Sequence, residues 1–316
     1  MSDPQTNPPT GSASKSLAAG ALAAAERSGD GAAVLPTDPR VTAALLVEAL
    51  PYIRRFAGKV IVIKCGGNVI EPWLASFAQD VVLIRSVGIE PIVVHGGGPQ
   101  IGELMARLGK EVEFHEGHRV TDAETLDIAR MVLVGKVNRD IVSAINRHGP
   151  LAVGLSGEDA KLIAAGPRSA ELGYVGDVTK VDPSMLYHLL SQHLIPVVAT
   201  IGTDERGQAY NINADSAAGA IAEAVGAEKL IFLTDVEGLR SGVGGRGPLI
   251  HRVSVPELEE AIEDGTAVGG MVPKLQACVR ALRAGVSSAH ILDGRMAHAL
   301  LVELFTDAGI GTMVHP

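Results

Sequence analysis

Aromatic residues are scarce: phenylalanine, tyrosine and tryptophan supply 3% of 316 residues, although 47% of the chain is hydrophobic. The core must therefore be built from Val, Ile, Leu and Ala, which suits a parallel sheet covered by helices on both faces. Positive charge is also in deficit, with 27 Lys and Arg against 36 Asp and Glu and a net charge of -9. That balance argues against general attraction to nucleic acid or anionic membrane, so an anionic ligand has to be held by local cations and backbone amides. Only two cysteines occur, Cys65 and Cys278, in no metal-ligand spacing, and both read as small buried hydrophobes of a reducing cytoplasm. No stretch approaches the roughly 18 apolar residues of a membrane span. Residues 16–25, Ala- and Gly-rich behind Lys15, lack the Leu/Ile/Val centre of a signal peptide, so the expected location is cytoplasmic. There is no G-x-x-x-x-G-K-[ST], which excludes a P-loop kinase at the motif level.

What is present is organised in segments. Residues 1–39 are rich in Ala, Gly, Ser, Pro and Thr and read as a disordered extension, with too little apolar surface to offset the entropy of ordering. From Val41, apolar residues recur at helical spacing through Phe56, predicting an N-terminal helix over 40–57 that Pro51 should kink or split. Strand and helix patterns then alternate to the C-terminus. They imply an α/β fold, a three-layer αβα sandwich around a central, mostly parallel open sheet. Helix patterns fall at about 72–87, 99–108, 121–147, 184–193, 215–225, 255–264, 271–285 and 297–308; residues 156–181 read as Gly-rich irregular or hairpin structure. Two lobes are expected, 58–226 and 227–316. In such sheets ligands sit at the carboxyl ends of the strands, and Lys64, His95, Asn211 and Asp235 all fall at predicted strand ends.

The chemistry concentrates in a few motifs. Val60-Ile61-Val62-Ile63 is a doubly buried strand running into Lys64, then Cys65-Gly66-Gly67. A lysine at the end of such a strand either reaches solvent or meets an anion, and the bare backbone after it admits a ligand closely. His95-Gly96-Gly97-Gly98-Pro99 fails the G-x-G-x-x-G spacing, but leads into a helix whose free amides favour phosphate or carboxylate. Arg119 precedes a predicted capping box, Thr121 to Glu124, and would offer a carboxylate a bidentate fork if it faced the glycine loop. Asn211-Ile212-Asn213-Ala214-Asp215 opens a helix, with Asp215 either a cap or a functional carboxylate. Thr234-Asp235 ends another buried strand. Lys274 stands in the first turn of a helix behind Gly269-Gly270, where a cation opposes the macrodipole unless an anion intervenes.

In this order, these segments resemble the amino acid kinase family, and within it the acetylglutamate kinases, from about residue 41 to the C-terminus. The resemblance implies that Lys64 and Lys274 stabilise a phosphoryl group in transfer and that Asp215 holds the two lysines. It implies acetylglutamate binding by Gly97, Gly98, Arg119 and Asn211. ATP, with Mg2+ held mainly by its phosphates and no dedicated metal ligands in the protein, would lie on Gly66, Gly67, Thr234, Asp235, Gly238 and Lys274. The activity implied is phosphorylation of the γ-carboxylate of N-acetyl-L-glutamate in arginine biosynthesis. Tyr52, Glu303 and Gly309 match the segments by which arginine-inhibited relatives bind L-arginine, and the N-terminal helix matches the one that joins their dimers into a hexamer. In the loop Ser156-Gly157-Glu158-Asp159-Ala160, Ala160 stands where the family pattern has glycine. The rivals are a carbamate, aspartate or glutamate 5-kinase, or a non-catalytic arginine sensor; intact Lys64, Asp215 and Lys274 argue against the sensor, and the lack of a regulatory domain after residue 316 against the aspartate and glutamate kinases.

Overall fold

The computed structural model describes residues 38–316 apart from 116, 268 and 308, so the expected extension over 1–39 lies almost wholly outside the described residues. The chain divides into two compact units, one ending at Pro51 and the other running from Tyr52 to Pro316. Helix α1 (Pro39–Phe56) begins in the first unit and ends in the second. It continues through Pro51, where the sequence predicts a kink or break. In the first unit Leu45, Leu46, Val47 and Leu50 are exposed.

The second unit alternates as expected. Its first half contains β1 (Val60–Cys65), α2 (Gly67–Ser86), β2 (Glu90–His95), α3 (Gly98–Arg107), β3 (Phe114–His115), β4 (His118–Arg119), α4 (Ala123–Arg130), α5 (Asn138–Asn146) and β5 (Ala152–Ser156). Then come β6 (Ile163–Pro167), β7 (Val175–Val181), α6 (Ser184–Ser191), β8 (Ile195–Ala199), β9 (Ile201–Thr203) and β10 (Ala209–Ile212). The remainder is α7 (Ala214–Ala224), β11 (Lys229–Thr234), β12 (Arg252–Ser254), α8 (Val255–Glu263), α9 (Met271–Arg283), β13 (Ser288–Asp293), α10 (Ala299–Phe305) and β14 (Thr312–His315).

Eight strands form one sheet in the order β12-β14-β13-β11-β1-β2-β8-β5. All neighbours are parallel except β13 and β14. Alternation along β1 explains the three layers. Ile61, Ile63 and Cys65 pack into one core with α2, α4, α5 and α10, and Val62 faces a second core with α6, α7, α8 and α9. With both faces covered, the middle of each central strand is apolar, and the charged and polar residues Lys64, His95 and Lys229 fall at or near strand ends.

Three local predictions change. The residues expected as irregular or hairpin structure do pair as an antiparallel hairpin of β6 and β7, but with β9 and β10 they close into a four-stranded barrel in the order β10-β7-β6-β9. Asn211 therefore stands on this barrel and not on the rim of the large sheet. The predicted helix over 121–147 contains a π-helical segment, Met131–Val137, between α4 and α5. Its cap is Asp122, whose carboxylate accepts from Thr125 N at 2.7 Å, while Thr121 Oγ1 donates to the Arg119 carbonyl at 2.8 Å. Ala160 adopts φ 52° and ψ 24°, the left-handed conformation that glycine tolerates best.

Candidate functional site

Three helices in the second unit begin behind glycine. Gly66 precedes α2, Gly97 precedes α3 and Gly270 precedes α9, and none of the three starts receives a side-chain cap. The first N–H groups of these helices lack intrahelical partners, and the dipole makes each end attractive to anions. By contrast, α7 is capped by Asn213, whose Oδ1 accepts from Asp215 N at 2.9 Å and Ser216 N at 3.1 Å. Asn213 thus takes the cap role considered for Asp215, which leaves the Asp215 carboxylate for other work.

That carboxylate is the hub of the site. Lys64 Nζ stands 2.9 Å from its Oδ1, and Lys274 Nζ donates to its Oδ2 at 2.9 Å. Asp215 and Lys274 are each 7% exposed. Burial works to raise the Asp215 carboxyl, but the two ammonium groups outweigh it and hold the carboxyl below its ordinary range. Burial lowers the Lys274 ammonium, as does the charge of Lys64, against the opposing pull of Asp215. Three charges on three elements, Asp215 and Lys274 buried and Lys64 half-buried, sum to one positive charge, an unbalanced arrangement unless an anion completes it.

Two cavities meet at this hub. One, of about 560 Å³, is lined by Gly66, Gly67, Thr234, Asp235, Gly238, Gly270 and Lys274 among others. The other, of about 610 Å³, is lined by Gly96, Gly97, Gly98, Arg119, Asn211 and Asp215. Lys64, Gly67 and Pro99 belong to both walls. At this seam the absence of a side chain matters, because a Cβ on Gly67 would fall 2.7 Å from Pro99 Cδ and 2.8 Å from Gln100 Oε1. Gln100 Nε2 donates to the Gly67 carbonyl at 3.1 Å and ties the two glycine segments together. Arg119 faces the second glycine loop: its Nη2 donates to the Gly98 carbonyl at 2.9 Å and its guanidinium lies 5.0 Å from the centre of the Phe114 ring. Asn211 Nδ2 approaches Thr121 Oγ1 at 3.5 Å.

All residues named from the sequence for these two groups thus line one cavity or the other. Reading the sequence missed Arg240, Gly244 and Gly245 in the first, and Val112, Phe114 and Leu133 in the second. The run Gly242 to Gly247 marks a loop, but nothing in its spacing says where that loop folds back.

A third cavity, of about 320 Å³, contains Tyr52, Glu303 and Gly309 together with Arg55, Lys229 and Arg252. Tyr52 Oη donates to Asp307 Oδ1 at 2.5 Å. Glu303 Oε2 accepts from Ile310 N at 3.0 Å, and its Oε1 lies 2.7 Å from His290 Nδ1. His290 Nε2 is in turn 2.8 Å from Lys229 Nζ. Burial raises Glu303, but His290 and its other partners bring it below its usual value. The expected terminal helix over 297–308 is shorter, ending at Phe305, with Thr306 extended.

Residues 59–293 match the amino acid kinase family. The chain belongs to that family. It is 52% identical over 287 residues to the acetylglutamate kinase of Syntrophobacter fumaroxidans, covering 86% of this chain and 95% of that protein. Among solved structures it is similar to N-acetylglutamate synthase from Neisseria gonorrhoeae complexed with coenzyme A and N-acetyl-glutamate, at a TM-score of 0.77 and 29% identity. That match covers 87% of this chain but 63% of the synthase. The same synthase complexed with coenzyme A and L-arginine matches at a TM-score of 0.75 and 28% identity, over 86% of this chain and 65% of that one.

Proposed function

We propose that this member of the family transfers the γ-phosphoryl group of ATP to the γ-carboxylate of N-acetyl-L-glutamate, yielding N-acetyl-L-glutamyl 5-phosphate for arginine biosynthesis. The observation that carries the reading is Asp215 between Lys64 and Lys274, at the seam of two cavities of ligand size. ATP occupies the cavity of Gly66, Gly67, Thr234, Asp235 and Gly238, with its phosphates on the uncapped starts of α2 and α9. The acid occupies the cavity of Gly97, Gly98, Arg119 and Asn211. We assign the acid half to residues 58–226 and the nucleotide half to 227–316.

The nucleophile is a carboxylate, already ionised at neutral pH, so no general base is needed. One carboxylate oxygen forms a bond to the γ-phosphorus as the bond from that phosphorus to the ADP oxygen breaks. The difficulty is to bring two anions together, and catalysis reduces to alignment and charge neutralisation. Lys64, common to both cavities, neutralises the phosphoryl oxygens in flight, and Lys274 neutralises them from the nucleotide side. Asp215 holds the two ammonium groups in place. Both Asp215 oxygens are occupied by lysines, and the donor set therefore fits a Mg2+ ion held by phosphate oxygens rather than by a protein cage. When bound, Mg2+ offsets charge on the β- and γ-phosphates.

The third cavity supports feedback inhibition by L-arginine. A zwitterion with a guanidinium needs carboxylate and cationic walls together, and Glu303 and Asp307 line this cavity with Arg55, Lys229 and Arg252. A relative's structure with L-arginine supports the same ligand class. We propose a homohexamer built through α1, on the resemblance of that helix to the one stated above for the family.

Hydroxylamine trapping of the acyl phosphate tests the reaction. Acetylglutamate should give hydroxamate at a rate well above aspartate, glutamate or carbamate; equal turnover of any of these would overturn the substrate assignment, and addition of arginine should suppress the rate.

A further inference from the structure

His95 ends β2, wholly buried, and neither the hub nor the cavity linings account for it. Its surroundings fix its protonation by elimination. Arg139 donates to Asn138 Oδ1, and Asn138 Nδ2 lies 2.9 Å from the Val197 carbonyl and 3.3 Å from the Leu155 carbonyl. The amide nitrogen of Asn138 is therefore on the side of His95, and its two hydrogens serve the two nearer acceptors, the Val197 carbonyl and His95 Nε2 at 3.1 Å. An Nε2 that accepts belongs to a neutral ring with its proton on Nδ1, and Nδ1 is 3.0 Å from the Gly96 carbonyl. Burial pushes His95 down to about 4, so the ring is neutral through the physiological range.

We propose that His95 is a positioning residue for the acid half of the site. As an Nδ1–H imidazole it draws the Gly96 carbonyl inward, and thereby turns the N–H of the Gly96–Gly97 peptide toward the acid cavity, where it serves the bound substrate. The second half follows from covalent geometry, since C=O and N–H of one trans peptide point in opposite directions. Packing holds the same peptide laterally: a Cβ on Gly96 would lie 3.2 Å from Ala214 Cβ, and one on Gly97 would lie 2.8 Å from Leu133 Cδ2. Leu133 belongs to the π-helical segment, whose next residue in the chain after Val137 is Asn138. The π turn thus supplies the lateral wall, and the first residue of α5 directly behind it supplies the group that sets the histidine tautomer, in keeping with the frequent placement of such turns at functional sites.

This inference rests on the proposed acid site, and the test separates the two. Wild-type turnover with acetylglutamate is measured first; its absence overturns the functional reading without touching the tautomer. Ring 15N spectra of the substrate-free protein, with His95 assigned through its own side-chain protons, should show Nδ1 protonated and Nε2 bare at neutral pH. An Nε2–H ring or an imidazolium overturns the inference, whatever the activity. His95→Leu should raise the KM for acetylglutamate about 2- to 10-fold, the scale of one neutral hydrogen bond, with the KM for ATP within about twofold. His95→Asn, whose amide nitrogen can occupy the place of Nδ1, should recover most of that loss. Equal impairment of the two variants, or a parallel rise in the KM for ATP, would reduce His95 to a packing residue.

Discussion

Replacing Asp215 with asparagine keeps the shape of the hub and removes its only negative charge. Each ammonium stands 2.9 Å from a carboxylate oxygen. At an effective dielectric near 20 that separation corresponds to an attraction of about 6 kcal/mol per pair, most of it offset by the cost of desolvating the ions. Removing one member of a buried ionic cluster then costs about 3–5 kcal/mol, because the remaining charges lose their partner. For a unit of this size the melting temperature should fall by about 5–15 °C. Lys274, already lowered by burial and by Lys64, loses the neighbour that does most to raise it. It should therefore deprotonate at lower pH, carrying the alkaline limb of the kcat profile downward. The sign on the acid side is opposite. Wild-type Asp215 contributes stability above its ordinary value of 3.8 and loses it as pH falls toward its lowered folded value; the variant should lack that loss. ADP with Mg2+ returns an anion to the lysines, so nucleotide should stabilise Asp215→Asn more than it stabilises wild type. Thermal melts with and without nucleotide, and kcat across pH, measure all of this. A melting temperature within about 2 °C of wild type together with an unshifted alkaline limb would refute the role given to Asp215.

Three further outcomes follow from particular contacts. Gly67→Ala places a methyl group 2.7 Å from Pro99 Cδ, and steady-state kinetics should show a rise of about tenfold in the KM for ATP, the scale of 1–3 kcal/mol of overpacking. Glu303→Gln removes one of the two carboxylates that line the third cavity, Asp307 being the other, so calorimetry should find arginine bound about 10- to 100-fold more weakly, the scale of one charge-assisted hydrogen bond. Ala160→Gly relieves a left-handed alanine at φ 52° and should raise stability in denaturant titrations by about 0.5–1 kcal/mol, the strain relieved less the added chain entropy.

Much of this was legible in the sequence because central strands of a covered parallel sheet are continuously apolar. Val60 to Ile63 and Leu230 to Leu233 announce themselves, and the residues that follow them reach the rim. Glycines at helix starts were equally visible, since three in a row at 96–98 exceed the needs of a turn. The small barrel was not. Its strands are short, and β10 pairs with β7, some thirty residues away, through contacts that no local pattern records. The π turn escaped for a related reason: Met131–Val137 keeps an apolar face that a 3.6-residue period fits almost as well. Asp215 looked like a cap because aspartate commonly is one; only the neighbouring Asn213, occupying that place, shows the carboxylate to be spare. Pro51 was expected to kink or split α1 because proline removes an internal hydrogen bond; the helix is not split there.

In the proposed reaction Lys64, shared by both cavities, acts on the phosphoryl group in transit and not on either ground-state ligand. Full steady-state kinetics of Lys64→Ala test it most directly. A kcat lowered by about 10²- to 10³-fold, the scale of losing one transition-state donor, with the KM values for ATP and acetylglutamate changed by no more than a few-fold, is the result predicted. A kcat within a few-fold of wild type, or a loss confined to either KM, would contradict it.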